Sequence, residues 1–237
     1  MRPNGRANDE LRPVVLTPHY LDHTPASVFM QTGRTWVLCV ASVAEEVPPW
    51  LRGQAQGWVT AEYGLLPAST HIRTRRESST GRIKGRTHEI QRMIGRSLRA
   101  ALDLRKLGER TITIDCDVIQ ADGGTRTAAV TGGCVALALV VNELLKAGTV
   151  HRNVWRAPVA AVSVGVVQGE PLLDLCYQED SQAEVDLNVV MNARGQFVEL
   201  QGTAEGQAFE RAVVDRLLDL AEKGIKQLLA AQKEALA

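Results

Sequence analysis

The chain predicts a mixed α+β fold, on three observations. Short β-rich runs punctuated by turn residues fill its first third and recur between residues 157 and 201. Two internal stretches, Thr87–Leu107 and Thr127–Leu145, carry apolar residues in helix-like patterns. A third, Phe209–Gln232, closes the chain as an amphipathic helix, with Gly224 weakening its middle.

The elements follow in order. Met1–Leu11 is polar and needs contacts from elsewhere to be ordered. Val14–Tyr20 and Ser27–Phe29 read as short strands, and Thr35–Val43 as a buried one. Pro48–Gly53 breaks regularity, and Trp58–Tyr63 reads as another strand. Gly64–Gly85 has no core pattern and is expected to be a long basic loop, a length that usually signals binding or mobility. In Thr87–Leu107, residues Ile90, Met93, Ile94, Leu98, Ala101 and Leu102 repeat at three- and four-residue steps, with Gly108 as the expected C-cap. Thr111–Ile119 alternates, placing Ile112, Ile114, Cys116 and Val118 on one face. Thr127–Leu145 is apolar nearly all round, which predicts a central helix, and Gly132-Gly133 within it suggests a close crossing. Ala157–Val167 with Leu172–Tyr177, and Val185–Met191 with Phe197–Gln201, read as two hairpins. One domain over residues 1–237 is expected, with an internal boundary near 150–158 between two subregions.

Composition narrows the class. Hydrophobic residues make up 45% and charged residues 23%, an ordinary globular balance. Lys+Arg 27 against Asp+Glu 27 gives zero net charge, so only the distribution of charge points to a polyanion. The bases cluster between Arg73 and Arg105, on the basic loop and one helix face. Aromatics are only 4%, which favours contacts to an RNA backbone over base stacking. The four cysteines form no CxxC pair and read as buried thiols. The N-terminus lacks a signal-peptide core, and Thr, Gly, Asn or Ser interrupt the apolar runs. No membrane span and a cytoplasmic location are therefore expected.

Two segments carry chemistry. Asp122-Gly123-Gly124-Thr125-Arg126 precedes the apolar helix. Its glycines allow close backbone approach, Thr125 is the expected N-cap, and Arg126 falls in the first turn. Hydroxyl, amides and guanidinium can then converge on an anion. A plain strand-to-helix turn with a surface arginine is the alternative. Arg86, after Gly85, is a candidate second clamp. In Tyr177–Asn188, Glu179 and Asp180 precede a break and Asp186 lies on a mostly apolar strand. Converging carboxylates suit Mg2+, whereas a salt bridge to an arginine is the bland reading. The five histidines show no ligand spacing.

These segments and others together resemble the bacterial ribonuclease PH family, phosphorolytic exoribonucleases that trim transfer-RNA 3′ ends. The likeness is carried by RPNGRANDELRP within Met1–Pro13, LRGQAQGWVTAEYGLLPAST (Leu51–Thr70), GRTHEIQRMIGRSLRAALDL (Gly85–Leu104), IDCDVIQADGGTRTAAVTGG (Ile114–Gly133), DLCYQEDSQAEVDLNVVM (Asp174–Met191) and VELQGTAEG (Val198–Gly206). The resemblance implies a ribosomal-protein-S5-domain-2-like βα fold and a homo-hexameric ring built as a trimer of dimers. It implies inorganic phosphate as co-substrate, release of nucleoside diphosphates, and the reverse nucleotidyl addition. It assigns phosphate to Arg86, Gly124, Thr125 and Arg126, and Mg2+ (with Mn2+ as the other option) to Asp180 and Asp186. Arg73 and Arg76 become contacts to transfer RNA, with neither DNA nor membrane as a partner. The chain departs from the family at Asn4, where Asp is usual, and at Ala68, where the loop often carries a base. A catalytically inactive RNA-binding subunit of a related ring is the alternative function.

Overall fold

Two antiparallel-rich sheets enclose one apolar helix, and the burial of that helix from both sides explains its composition. The structure, a computed structural model, describes residues 2–237, so Met1 of the opening motif lies outside the described residues. The first sheet contains β1 (Val14–Pro18), β2 (Ser27–Thr32), β3 (Thr35–Ala44), β4 (Trp58–Leu65) and β5 (Thr111–Gln120), in the order β1-β2-β3-β5-β4. All its neighbours run antiparallel except β4 and β5. That parallel pair needs a crossover, supplied by α1 (Glu77–Thr80), α2 (Gly85–Arg99) and α3 (Leu104–Leu107). The second sheet, ordered β7-β6-β8-β9, holds β6 (Val159–Val167), β7 (Glu170–Leu173), β8 (Val185–Asn192) and β9 (Phe197–Ala204). Helix α4 (Thr125–Lys146) lies between the sheets, α5 (Tyr177–Asp180) leads into β8, and α6 (Arg211–Ala235) covers the second sheet.

Burial follows the pleat of the strands, and on β5 also the alternation in the sequence. Val37, Cys39 and Ala41 of β3 and Ile112, Ile114, Cys116 and Val118 of β5 point into one core with α2 and α4. On β8, Val185, Leu187, Val189 and Met191 face α6, whereas Val190 faces the α4 core. Residues Thr127–Val141 of α4 are all buried. A Cβ on Gly132 would lie 2.8 Å from Met30 Cβ and 3.0 Å from Cys39 Sγ, so the expected close crossing is made against β2 and β3. Gln232 Nε2 of α6 donates to Thr131 O and to Val159 O, both at 2.9 Å, tying the closing helix to α4 and β6. All four cysteines are buried free thiols.

Several boundaries differ from those the sequence predicts. Thr87–Leu107 is two helices, and Gly108 ends the second, not the long one. Residues 100–103 leave the helix to pair with a distant segment. Arg156 N donates to Ala101 O at 2.8 Å and Asp103 N to Val154 O at 2.8 Å. Tertiary hydrogen bonds here override a helical pattern that local propensity would continue. The basic loop is shorter than Gly64–Gly85, because β4 runs to Leu65 and α1 interrupts it. Glu77 in α1 accepts from Thr87 Oγ1 at 2.8 Å and from Lys84 N at 3.2 Å, pinning the start of α2. The strand expected over Leu172–Tyr177 stops at Leu173, and Tyr177 opens α5. Its turn is the two-residue Gln168-Gly169, with φ of 53° and 78°, the left-handed pair that tight hairpins favour. Strand β1 ends at Pro18, before His19 at φ 54°.

Candidate active site

The turn before α4 and the segment before α5 meet because residue 123 has no side chain. A Cβ on Gly123, at φ +74°, would stand 2.6–2.7 Å from backbone atoms of Leu175, Cys176 and Tyr177. Tyr177 N reaches Asp122 Oδ1 at 3.3 Å across the same contact. Two stretches about fifty residues apart in sequence thus become walls of one site. Gly123→Ala is expected to lower stability by about 2 kcal/mol, combining left-handed strain with a backbone clash. A thermal melt of the variant matching the parent's would refute this contact.

Gly124, at φ +65°, is the N-cap of α4, so Thr125 is the first helical residue and not the cap the sequence predicts. The cap position needs a left-handed residue, and glycine supplies it without steric cost. The first-turn amides of α4 remain without intrahelical acceptors, at the positive end of the helix dipole. Thr125 Oγ1 sits 2.8 Å from Tyr63 Oη. Arg126 Nη1 donates to Gln201 Oε1 on β9 at 2.7 Å and lies 3.4 Å from Glu89 Oε1 on α2. Gln201 Nε2 in turn donates to Glu89 Oε1 at 2.6 Å. Arg86 is exposed in the first turn of α2.

Asp180 at the end of α5 and Asp186 on β8 both feel the charges of Arg86 and Arg126. Arg86, Arg126, Asp180 and Asp186 therefore form one electrostatic cluster, and Tyr63 beside Thr125 feels the same two arginines. Burial raises the Asp180 carboxyl above its ordinary value against the pull of Arg86, Arg126 and Arg12. For Asp186, burial and then the Asp180 charge push the pKa to about 6, against Arg126, the Asn188 hydrogen bond and Arg86. Asp186 Oδ1 is buried with no hydrogen-bond partner among the described residues.

An orphaned carboxylate oxygen beside a second carboxylate fits a divalent cation, which would satisfy it. Among the described residues no group of three or more His, Cys, Asp or Glu forms a cage. Two carboxylates alone suit Mg2+, which retains several waters. The stability sign follows from the Asp186 shift. Its folded pKa, about 6, lies above the unfolded value near 3.8, so the folded state takes up the proton first. Stability from this group is present below about pH 4 and is lost as pH rises through about 6. Metal-free Asp186→Asn is thus expected to be more stable than the parent at pH 7.5 by on the order of 2 kcal/mol. The advantage should shrink as pH falls through about 6 and vanish only below about pH 4 in denaturant titrations. A pH-independent difference would reject the shift.

Glu179, grouped with the aspartates in the sequence, serves a different end. It accepts from Arg2 Nε at 2.7 Å, from Arg2 Nη2 at 2.8 Å and from Cys176 N at 3.0 Å. Burial would raise its pKa, but Arg2 and the Cys176 amide overcome this and hold it at about 2. It is part of a buried ion cluster that the sequence did not reveal. Arg12 donates from Nε to Asp174 Oδ2 at 2.9 Å and from Nη2 to Asp174 Oδ1 at 2.6 Å. Arg12 Nη1 also reaches Asp122 O at 2.5 Å, and Arg6 Nη1 reaches Asp174 Oδ2 at 3.3 Å. The polar N-terminal segment is thereby ordered behind both walls of the site. The sequence indicated only that this polar segment needs contacts from elsewhere to be ordered. Arg73 and Arg76 are exposed on the loop ahead of α2, with Arg76 immediately before α1.

Known proteins share this architecture. The 3′ exoribonuclease family, domain 1, matches residues 10–141, and domain 2 of the same family matches residues 157–224. The Archaeoglobus fulgidus exosome, described with RNA bound to its active site, is similar over 96% of this chain and 91% of its own, at 20% identity and a TM-score of 0.78. Rrp46 from rice (Oryza sativa) is similar over 100% of both chains, at 18% identity and a TM-score of 0.78. An archaeal exosome core is similar over 98% of this chain and 91% of its own, at 21% identity and a TM-score of 0.76. At these identities the structures speak to the fold, and the family match covers most of the chain in two consecutive parts. The chain belongs to the ribonuclease PH superfamily of 3′ exoribonuclease domains.

Proposed function

We propose that the protein is a phosphate-dependent 3′-to-5′ exoribonuclease that trims transfer-RNA 3′ ends, as bacterial ribonuclease PH does. The observation that carries this reading is the shared electrostatic field of Arg86, Arg126, Asp180 and Asp186, whose Oδ1 has no hydrogen-bond partner among the described residues. Cations and helix amides suit inorganic phosphate, and the carboxylates suit the metal that a phosphodiester requires. Gly124, Thr125, Arg126 and Arg86 hold the phosphate. One of its oxygens attacks the phosphorus of the terminal linkage, the P–O3′ bond breaks, and the released 3′ oxygen takes a proton. The products are a nucleoside diphosphate and RNA shorter by one residue, and the reverse reaction adds a nucleotide from a diphosphate. No Ser, Cys or His nucleophile is needed, so catalysis rests on positioning and charge neutralisation. Mg2+ or Mn2+ held by Asp180 and Asp186 would stabilise charge developing on the reacting linkage.

RNA as partner is supported by the exposed basic loop and by the RNA described in the Archaeoglobus exosome. A homo-hexamer, as a trimer of dimers, is the assembly the resemblance implies. Arg73→Ala and Arg76→Ala are expected to weaken RNA binding and to reduce the salt slope of log K by about 1 each. Fluorescence anisotropy over a salt series checks this, and an unaltered slope would reject a phosphate contact.

A second reading, an RNA-binding ring subunit without chemistry, is favoured by one observation. Arg126 is already engaged by Gln201 and Glu89, which an incoming phosphate would have to displace. Product analysis separates the readings. Nucleoside diphosphates that form only with added phosphate support the enzyme. Monophosphates would indicate hydrolysis, and intact RNA that stays bound would indicate the inactive subunit.

A further inference from the structure

We propose that Tyr63 is a positioning residue for the phosphate site, its phenol donating to Thr125 Oγ1 so that the Thr125 hydroxyl is left to donate to the anion. The inference rests on the phosphate-dependent reading above and deepens it.

Tyr63 follows Val59 and Ala61 on the inward face of β4, two residues before its end, and is 5% exposed. Its Oη lies 2.8 Å from Thr125 Oγ1, and among the described residues neither hydroxyl makes another hydrogen bond. A buried phenol proton needs an acceptor, and Thr125 Oγ1 is the one in reach. The phenol is also the stronger acid of the pair and hence the better donor. Burial raises its pKa above 10, against the Thr125 hydrogen bond and the nearby charges of Arg86 and Arg126, so it stays protonated at neutral pH.

A threonine hydroxyl has one proton and two lone pairs. With a lone pair filled by Tyr63, the proton must point elsewhere. The local backbone acceptors already serve other donors: Gly124 O accepts from Thr127 Oγ1 at 2.9 Å and Ala128 N at 3.0 Å, and Asp122 O accepts from Arg12 Nη1 at 2.5 Å. Nor does the Thr125 hydroxyl cap the helix, since Gly124 occupies that position. With Tyr63 as the donor, the Thr125 proton has no acceptor among the described residues and is available to an anion at the first-turn amides of α4. Tyr63 thus sets the sense of a hydrogen bond it does not itself make.

The test is a double-mutant cycle on the full-length protein. Inorganic phosphate binding is measured by calorimetry, alongside phosphate-dependent shortening of an oligoribonucleotide. Tyr63→Phe is expected to weaken phosphate binding and raise the phosphate KM by about tenfold, with kcat changed by less than about threefold. Thr125→Ser keeps the hydroxyl and should recover most of the phosphate binding that Thr125→Ala loses. Adding Tyr63→Phe to Thr125→Ala should cost nothing further, a pattern that a packing role for the ring would not produce. The proposal is overturned if Tyr63→Phe binds phosphate as the parent does, or if its effect multiplies with that of Thr125→Ala. Should the parent bind phosphate but degrade no RNA, the enzymatic reading fails while the binding cycle still decides the role of Tyr63. A parent that binds no phosphate overturns both.

Discussion

Arg126→Ala is expected to lower phosphate-dependent RNA shortening by about 10²–10³-fold, the loss typical of removing one preorganised charge-stabilising donor. The side chain supplies positive charge to both Asp180 and Asp186 and stands one residue from Thr125 at the start of α4. Removing it takes away one of the two arginines, with Arg86, that offset both carboxylates. The fold should survive, because Gln201 Nε2 keeps its hydrogen bond to Glu89 at 2.6 Å and α4 remains buried along its next turns. RNA affinity should change by less than about threefold, since the exposed loop arginines carry that contact. Arg126→Lys should recover only part of the rate, because a point charge cannot reproduce the guanidinium fork. Single-turnover kinetics at saturating phosphate, with circular dichroism for fold, give the readout. Full phosphorolysis by a folded Arg126→Ala protein would remove Arg126 from the site.

Asp174→Ala is expected to destabilise the protein by about 3–5 kcal/mol, through uncompensated buried charge and not through chemistry. Asp174 is buried and accepts from Arg12 N, Arg12 Nε, Arg12 Nη2 and Arg6 Nη1. Without it, Arg2 and Arg6 keep Glu179 as an ion-pair partner, and Arg12 is left with no salt-bridge partner among the described residues. For a chain of this size the loss corresponds to a fall in melting temperature of about 10 °C. The same change should loosen the turn at Asp122 and Gly123, whose carbonyls Arg12 holds, so phosphate affinity should fall in the protein that remains folded. Arg2→Met should cost less, as Glu179 keeps the Cys176 amide and Arg6 nearby. An unchanged melting temperature for Asp174→Ala would show that the cluster contributes nothing net.

Both predictions turn on contacts that were unequally legible in the chain. Arg126 was readable because its neighbours are chemically unusual together: two glycines, a hydroxyl and a cation just before an apolar helix. The Asp174 cluster was not, since arginines at positions 2, 6 and 12 look like an ordinary polar terminus. Glu179 misled for the same reason. A carboxylate next to Asp180 looks like part of an acidic pair, yet its side chain turns to Arg2. Tyr63 gave no signal either, because an alternating strand accounts for a buried aromatic without its hydroxyl. The break after Arg99 was hidden by an apolar period that continued through Leu102.

The order of side chains was enough to give the α+β class, the alternation of β5 and β8, and the all-round apolar character of the helix at the centre. Those properties are local, set by side-chain periodicity and by what water excludes. Which charges meet, where α2 stops and which hydroxyl partners Thr125 became visible in the folded chain alone. Such contacts join residues tens to hundreds of positions apart, and their strength depends on burial and distance, neither of which a linear order of residues contains.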